Sequence, residues 1–312
     1  PEYYGCLYKR YNTYVRDYDS ANKIKRIACG PNVDDYHWTR EVMDKVKHHA
    51  QGISLHYYTI PGDTWEHKGS ATQFDTKEYY KTIAKAYRIE ELINNHIAVM
   101  NSINPQQWVQ LIVDEWGTWY DVEPGTNPGF LYQQNTMRDA MVAALTLNIF
   151  NKHSDRIMMA NIAQTVNVLQ AMILTDAEKM VLTPTYYVFK MFKEHQNNML
   201  LGSFITSDTI ESKEAKRSCP MLIESASIDE NGVIYSTIAN VSDKKPAKIK
   251  CQIADRKIKS IKAEILCGDI HDKNDFENAD NVKIEEFTDF RQLKDGFTAT
   301  LPACSVVKFI IE

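Results

Sequence analysis

Four short strand-like runs, at 24–29, 53–58, 109–113 and 157–160, of which 24–29 alternates and 109–113 is largely apolar and β-branched, are interleaved with stretches of helical spacing and limit what this chain can become. Helical spacing covers 34–50, the region from Thr76 to about residue 100, 133–152, and the segment from Thr183-Pro184 to about residue 195. Strands that alternate with helices pair in parallel through right-handed crossovers. A closed barrel of such units needs twice as many as this chain supplies. The start of the chain reads as a further helix, with Tyr4, Leu7, Tyr8, Tyr11, Val15 and Tyr18 on one apolar face. After residue 199 the helical signal stops. Alternating runs at 233–238, 247–253 and 305–311, separated by Asp/Asn/Gly/Lys turns, predict an antiparallel β-sandwich. The expected organisation is therefore α/β over 1–198, the barrel part, and a β-sandwich over 199–312.

The totals exclude several functions. A chain of 312 residues with 44% hydrophobic and 25% charged residues is ordinary for a globular protein. Its net charge of −5 argues against nucleic acid and anionic membrane surfaces as partners. No apolar run reaches the roughly 18 residues of a membrane-spanning helix. The six cysteines form no C-x-x-C pair, so a structural zinc site is not expected. They read as mostly reduced and buried, with a disulfide among Cys219, Cys251, Cys267 and Cys304 left open. Pro1-Glu2-Tyr3-Tyr4 reads without a leader and begins inside a helix-like turn, the expectation for a fragment or for one piece of a divided protein.

Chemistry concentrates at strand ends. The run 109–113 breaks into Asp114-Glu115 and then Trp116-Gly117-Thr118-Trp119. Asn32, His56, Glu115, and Asn161 with Gln164 fall at the same end of successive strands, the end where βα barrels build active sites. A carboxylate there can attack or stabilise an anomeric carbon, and aromatic rings can pack on sugar faces. Tyr58 shares the face of His56 by the two-residue strand period, whereas Asp114 is expected to point away from Glu115 as a packing partner. Trp65 and Trp119 are candidate sugar platforms. Each residue also has a plain structural reading. Glu115 could cap a helix or pair with an Arg, His56 could be a satisfied structural histidine, Trp65 and Trp119 could seal a barrel mouth, and Gln164 could tie down its loop.

Together the strings 113–120 (V-D-E-W-G-T-W-Y), 56–59 (H-Y-Y-T) and 159–167 (M-A-N-I-A-Q-T-V-N) resemble the α-L-arabinofuranosidases of glycoside hydrolase family 51, and the P-E-Y-Y opening and Gly30-Pro31-Asn32 fit as well. The resemblance covers essentially the whole chain. It implies a (β/α)8 TIM barrel with a C-terminal β-sandwich and hydrolysis that retains anomeric configuration. By position it makes Glu115 the catalytic nucleophile, after the seventh strand, with His56 and Tyr58 after the sixth holding the nucleophile and the sugar. Trp119 would shape the subsite and Gln164 would bind arabinose hydroxyls. No metal or other cofactor is implied.

The same resemblance places the acid/base glutamate at the end of the fourth strand, ahead of Pro1, so the four units here would be the second half of the barrel. The implied partners are an arabinose-containing oligosaccharide or polysaccharide, and an N-terminal half-barrel supplied as a separate chain or through self-association. Two other functions stay open from the residues: a catalytically incompetent carbohydrate-binding or scaffold fragment, and a related retaining hydrolase acting on another pentoside.

Overall fold

The computed structural model describes residues 1–312. The chain divides into two compact units, Pro1–Tyr58 with Arg88–Trp116 and His153–Ile162, and Thr59–Tyr87 with Gly117–Lys152 and Ala163–Glu312.

The first unit is organised by a sheet in the order β1 (Ile27–Ala28), β2 (Gly52–Thr59), β3 (Gln110–Thr118) and β4 (Ile157–Ile162). Pairing is parallel at both β1–β2 and β3–β4, as the alternation of strands and helices requires. Helices α1 (Glu2–Asn12) and α2 (Tyr36–Val46) pack together where Gly5 lies so close to Lys45 that a Cβ would come within 2.7 Å of that side chain. Tyr4 fixes this pair to β1, its hydroxyl accepting the Cys29 amide at 2.6 Å. The long helix α3 (Thr76–Ile103) contributes buried His96, which joins the Thr39 hydroxyl (2.9 Å) to the Val33 carbonyl (2.7 Å). That link holds the loop after β1. The loop continues the sheet by a bridge from Asn32 to His56, and Gly30 is required there because a Cβ would sit 1.6 Å from the Ser54 carbonyl oxygen.

Three expectations need correction in this unit. Helix α1 stops at Asn12, because Thr13 turns its hydroxyl back onto the Arg10 carbonyl (2.7 Å) and competes with further helix, so Val15 and Tyr18 are exposed. Strand β4 is less buried than its apolar sequence suggests, with Met159 39% exposed, since it has a neighbour on one side only. Cys6 and Cys29 are exposed, as is Cys267 in the second unit, and all six cysteines are free thiols.

In the second unit α4 (Met137–Lys152) is buried along nearly its whole length. It begins four residues later than its spacing predicts, after the extended and buried segment Gln133-Gln134-Asn135-Thr136. The start is a capping box: the Thr136 hydroxyl accepts the Arg138 amide at 3.2 Å and the Asp139 carboxylate accepts the Thr136 amide at 2.8 Å. A hairpin, β5 (Ile173–Asp176) with β6 (Lys179–Leu182), precedes α5 (Pro184–Phe192), whose N-cap is Thr183.

The remaining strands are antiparallel. A six-stranded sheet runs in the order Glu285–Glu286, Ile261–Cys267, Ser305–Ile311, Ile234–Asn240, Leu222–Ile228, Met199–Leu201, and a three-stranded sheet joins Ala247–Gln252, Gly296–Leu301 and Phe290–Leu293. Their shared core includes Phe287, Phe297, Leu301, Val307 and Phe309, with the Phe297 and Phe309 rings 4.2 Å apart. Asn148 of α4 ties this sheet to the helix, donating to the Ile223 carbonyl (3.0 Å) and accepting from the Ser225 and Thr237 hydroxyls (2.7 Å each).

Candidate active site

Strand β2 alternates as its sequence predicts. Tyr57 is buried on one face, while His56 and Tyr58 share the other and are partly open. Strand β3 does not alternate where it matters. Val113 pairs with Ala160 and Trp116 with Ile162, so three steps on β3 match two on β4. The extra residue is a β-bulge at Asp114-Glu115, a device that re-aims neighbouring side chains. It corrects the expectation that Asp114 points away from Glu115, because both carboxylates reach the same imidazole. His56 Nε2 lies 3.1 Å from Asp114 Oδ1 and Nδ1 lies 3.4 Å from Glu115 Oε2.

Tyr58 completes the arrangement, its hydroxyl donating to Glu115 Oε2 at 2.8 Å. The Glu115 side chain is still 48% exposed, so a ligand can reach it. Burial, and next the hydrogen bond to Glu115, push the Tyr58 phenol above its usual range and keep it a donor. Burial also raises the Asp114 carboxyl, an effect opposed by His56 and reinforced by the Glu115 charge. The unit thus presents one accessible carboxylate oriented by a phenol and an imidazole, with a second, more enclosed carboxylate behind the imidazole. Such a set can position an oxygen nucleophile or stabilise a cationic carbon.

The other predicted residues belong to the second unit. Trp65, on the long loop after β2, is 48% exposed and meets Trp119 edge to face, ring centroids 5.5 Å apart. Asp121 holds that loop, accepting from the Lys68 amide at 3.2 Å and the Gly69 amide at 3.1 Å. Arg138 holds it again from beneath, donating to the Ser70 and Ala71 carbonyls with its guanidinium over the Phe74 and Tyr120 rings. Gln164 is exposed, two residues beyond β4, and lines a cavity with Phe130 and Tyr132. Sequence reasoning missed Asp114 as a contact of His56, and it missed Arg138 and Asp139 altogether. For the last two a signal existed, the T-x-x-D pattern of Thr136 to Asp139.

A parallel sheet with its polar cluster at the C-terminal strand ends, in a chain that continues into an antiparallel sandwich, defines the C-terminal half of a (β/α)8 barrel followed by a β-sandwich. Residues 114–305 match the family described as the α-L-arabinofuranosidase C-terminal domain. The chain belongs to the α-L-arabinofuranosidases of glycoside hydrolase family 51 and corresponds to their C-terminal portion. It is 45% identical to an intracellular exo-α-L-arabinofuranosidase of Bacteroides ovatus, over 100% of this chain and 60% of that protein. Among solved structures it is similar to the family 51 arabinofuranosidase of Xanthomonas axonopodis pv. citri, with 39% identity, a TM-score of 0.95, and coverage of 100% of this chain and 62% of that one. The arabinose complex of an α-L-arabinofuranosidase from Thermotoga maritima shares the fold at 24% identity, with a TM-score of 0.82 over 100% of this chain and 62% of that chain. The chain thus spans about 60% of the length of these relatives.

Proposed function

We propose that this chain supplies the nucleophile of a retaining hydrolase that releases terminal α-L-arabinofuranosyl residues from arabinose-containing oligosaccharides or polysaccharides. The observation that carries the reading is the accessible Glu115 carboxylate held by the Tyr58 hydroxyl at 2.8 Å and faced by His56 at 3.4 Å. Membership of the arabinofuranosidase family supports the sugar.

In the first step a Glu115 oxygen bonds to the anomeric carbon as the bond to the leaving oxygen breaks, and an acid protonates that oxygen. In the second, water deprotonated by the same group attacks the anomeric carbon, the ester to Glu115 breaks, and arabinose leaves with its configuration retained. The acid/base group comes from sequence outside this chain, which must set its carboxyl about 5–5.5 Å from Glu115. The open edges of β1 and β4 are the places for the strands that carry it. Tyr58 and His56 orient Glu115 and offset its charge. In the second unit, Trp65 and Trp119 are assigned to sugar faces and Gln164 to sugar hydroxyls.

The test is covalent trapping in the full-length protein. A mechanism-based arabinofuranosyl inhibitor should add one sugar to the intact mass, on the peptide holding Glu115. Glu115→Ala should carry no adduct and should lose turnover of an aryl α-L-arabinofuranoside. An adduct on another residue, or near-native turnover by the variant, overturns the assignment.

A further inference from the structure

Charge is unevenly placed along this chain. Residues 244–262 carry eight Lys or Arg against one acid, Asp255, in a protein of net charge −5. Part of that run is the strand Ala247–Gln252, an edge of the three-stranded sheet. Its inward residues Ala247, Ile249 and Cys251 meet the sandwich core, so Lys248, Lys250 and Gln252 stand exposed on the outer face.

The strand register carries this face across the sheet. Lys248 pairs with Thr300, and Lys250 pairs with Thr298, which pairs in turn with Arg291 on the far strand. Thr298 and Thr300 are half-buried and Arg291 is exposed. Strand geometry sets the backbones of Lys248 and Lys250 about 7 Å apart, and that of Arg291 about 10 Å from Lys250. Lys244 and Lys245, ahead of the strand, meet the carboxylates of Asp243 and Asp208, whereas Lys248, Lys250 and Arg291 form no ion pair. Two acids, Asp289 and Asp295, flank the strand of Arg291 at its ends. All of these residues lie in the second unit.

Lysine on an edge strand also keeps sheets from pairing edge to edge, which is the plain reading of Lys248 and Lys250. Charge of either sign serves that end, as Glu285-Glu286 do at the edge of the six-stranded sheet. Edge protection does not require three cations on one face together with two hydroxyls and an amide. That set suits a ligand with carboxylates for the cations and hydroxyls for Thr298, Thr300 and Gln252. The face has no aromatic ring for a nucleobase and, beyond half-buried Leu293, no apolar side chain to enter a lipid. Three cations on a chain of net charge −5 are also few for a nucleic-acid backbone.

We propose that the outer face of this three-stranded sheet docks a carboxylated, uronate-bearing glycan chain, with Lys248, Lys250 and Arg291 on carboxylates and Thr298, Thr300 and Gln252 on hydroxyls. Charge complementarity selects the acid, and the choice of a glycan among polyanions rests on the function proposed above. The sandwich thereby becomes an anchor on acidic polymer, a role separable from turnover.

The experiment measures binding of the full-length protein to immobilised polygalacturonate, immobilised neutral galactan, a DNA duplex and vesicles containing phosphatidylserine. Wild type should bind polygalacturonate at about 50 mM salt, more weakly at about 300 mM, and should not bind galactan. The double variant Lys250→Gln with Arg291→Gln should bind polygalacturonate about 3- to 30-fold more weakly, and Lys250→Glu with Arg291→Glu should not bind it. Thermal melts check that both variants are folded; if the charge-reversed one is not, the neutral one decides. Absence of wild-type binding at low salt, equal binding to galactan, or unchanged binding by the variants overturns the proposal. Tighter binding of the DNA or of the vesicles overturns it as well, giving the face to a different polyanion. Binding needs no catalysis, so a wild type that fails to turn over an aryl arabinofuranoside would sink the hydrolase reading and leave this result standing.

Discussion

The Tyr58 hydroxyl and the Glu115 carboxylate, on adjacent strands of one sheet, meet in a 2.8 Å hydrogen bond that leaves the acid 48% exposed. A carboxylate that accepts a phenol in place of a mobile water is held in one orientation, which is what attack on a fixed carbon needs. Removing the hydroxyl with Tyr58→Phe should leave the fold intact and cost the carboxylate one charge-assisted bond, about 1.5–3 kcal/mol. In the full-length protein kcat/KM on an aryl arabinofuranoside should fall by about 10- to 100-fold, with little change in thermal midpoint. Steady-state kinetics together with a thermal melt would check this, and an unchanged kcat/KM would remove Tyr58 from the role.

His56 is expected to matter through orientation. Its two nitrogens face Asp114 at 3.1 Å and Glu115 at 3.4 Å. A neutral ring donates through one nitrogen and an imidazolium through both. His56→Ala would leave the two carboxylates on the bulge without a partner between them, and their mutual repulsion would turn Glu115 away from its working position. We expect a loss of about 100-fold or more in kcat, carried by kcat rather than KM. Asp114→Asn should cost less, because the amide keeps an acceptor toward His56 while removing the like charge. If Asp114→Asn proved as damaging as Glu115→Ala, the assignment of the two acids would have to be exchanged.

Much of this arrangement was legible in the sequence, for a physical reason. A strand has a fixed two-residue period, so His56 and Tyr58 on one face and Tyr57 on the other follow from position alone. The sandwich was equally plain, since apolar alternation at 305–311 survives as a strand, Ser305–Ile311, at the centre of a sheet. The bulge at Asp114-Glu115 was not legible, because it is defined by how many residues stand opposite on β4. The β5–β6 hairpin escaped for a different reason. Its turn uses Ala177, with φ of 49°, and Glu178, where the usual signal is Asn or Gly. The hydrogen bond from the Asn167 side chain to the Thr175 hydroxyl of that hairpin could therefore not be foreseen either.

Asp139 should be the most stability-sensitive acid in the second unit. It is fully buried and accepts the Thr118 hydroxyl (2.6 Å), the Tyr120 hydroxyl (2.8 Å) and the Thr136 amide (2.8 Å). Asp139→Ala strands these buried donors and removes half of the capping box. Each unsatisfied donor costs about 1–3 kcal/mol, so a total loss of roughly 3 kcal/mol or more is expected. Asp139→Asn should retain part of the network and lose less. Urea denaturation of the three proteins orders them wild type, Asn, Ala, and equal midpoints for wild type and Ala would contradict the account.

Acid should weaken the second unit through His195. Burial, and next the positive charge of Lys308, lower its pKa from 6.5 to about 4, while its nitrogens meet the Ser227 hydroxyl at 2.8 Å and the Thr237 hydroxyl at 3.0 Å. Because the folded pKa is the lower one, the unfolded chain binds the extra proton between about pH 6.5 and 4. Stability is therefore complete above pH 6.5 and declines as pH falls through this window to about 4, by about 3 kcal/mol in all. Carboxylates held below their usual range add to acid sensitivity, so the wild type alone does not isolate the histidine. The difference between wild type and His195→Gln does. Urea midpoints at pH 7.5 and pH 5 should draw together between the two proteins as pH falls, since the variant carries no proton-dependent group at this position. A gap that stays constant across the two pH values would mean that His195 is not the group being protonated.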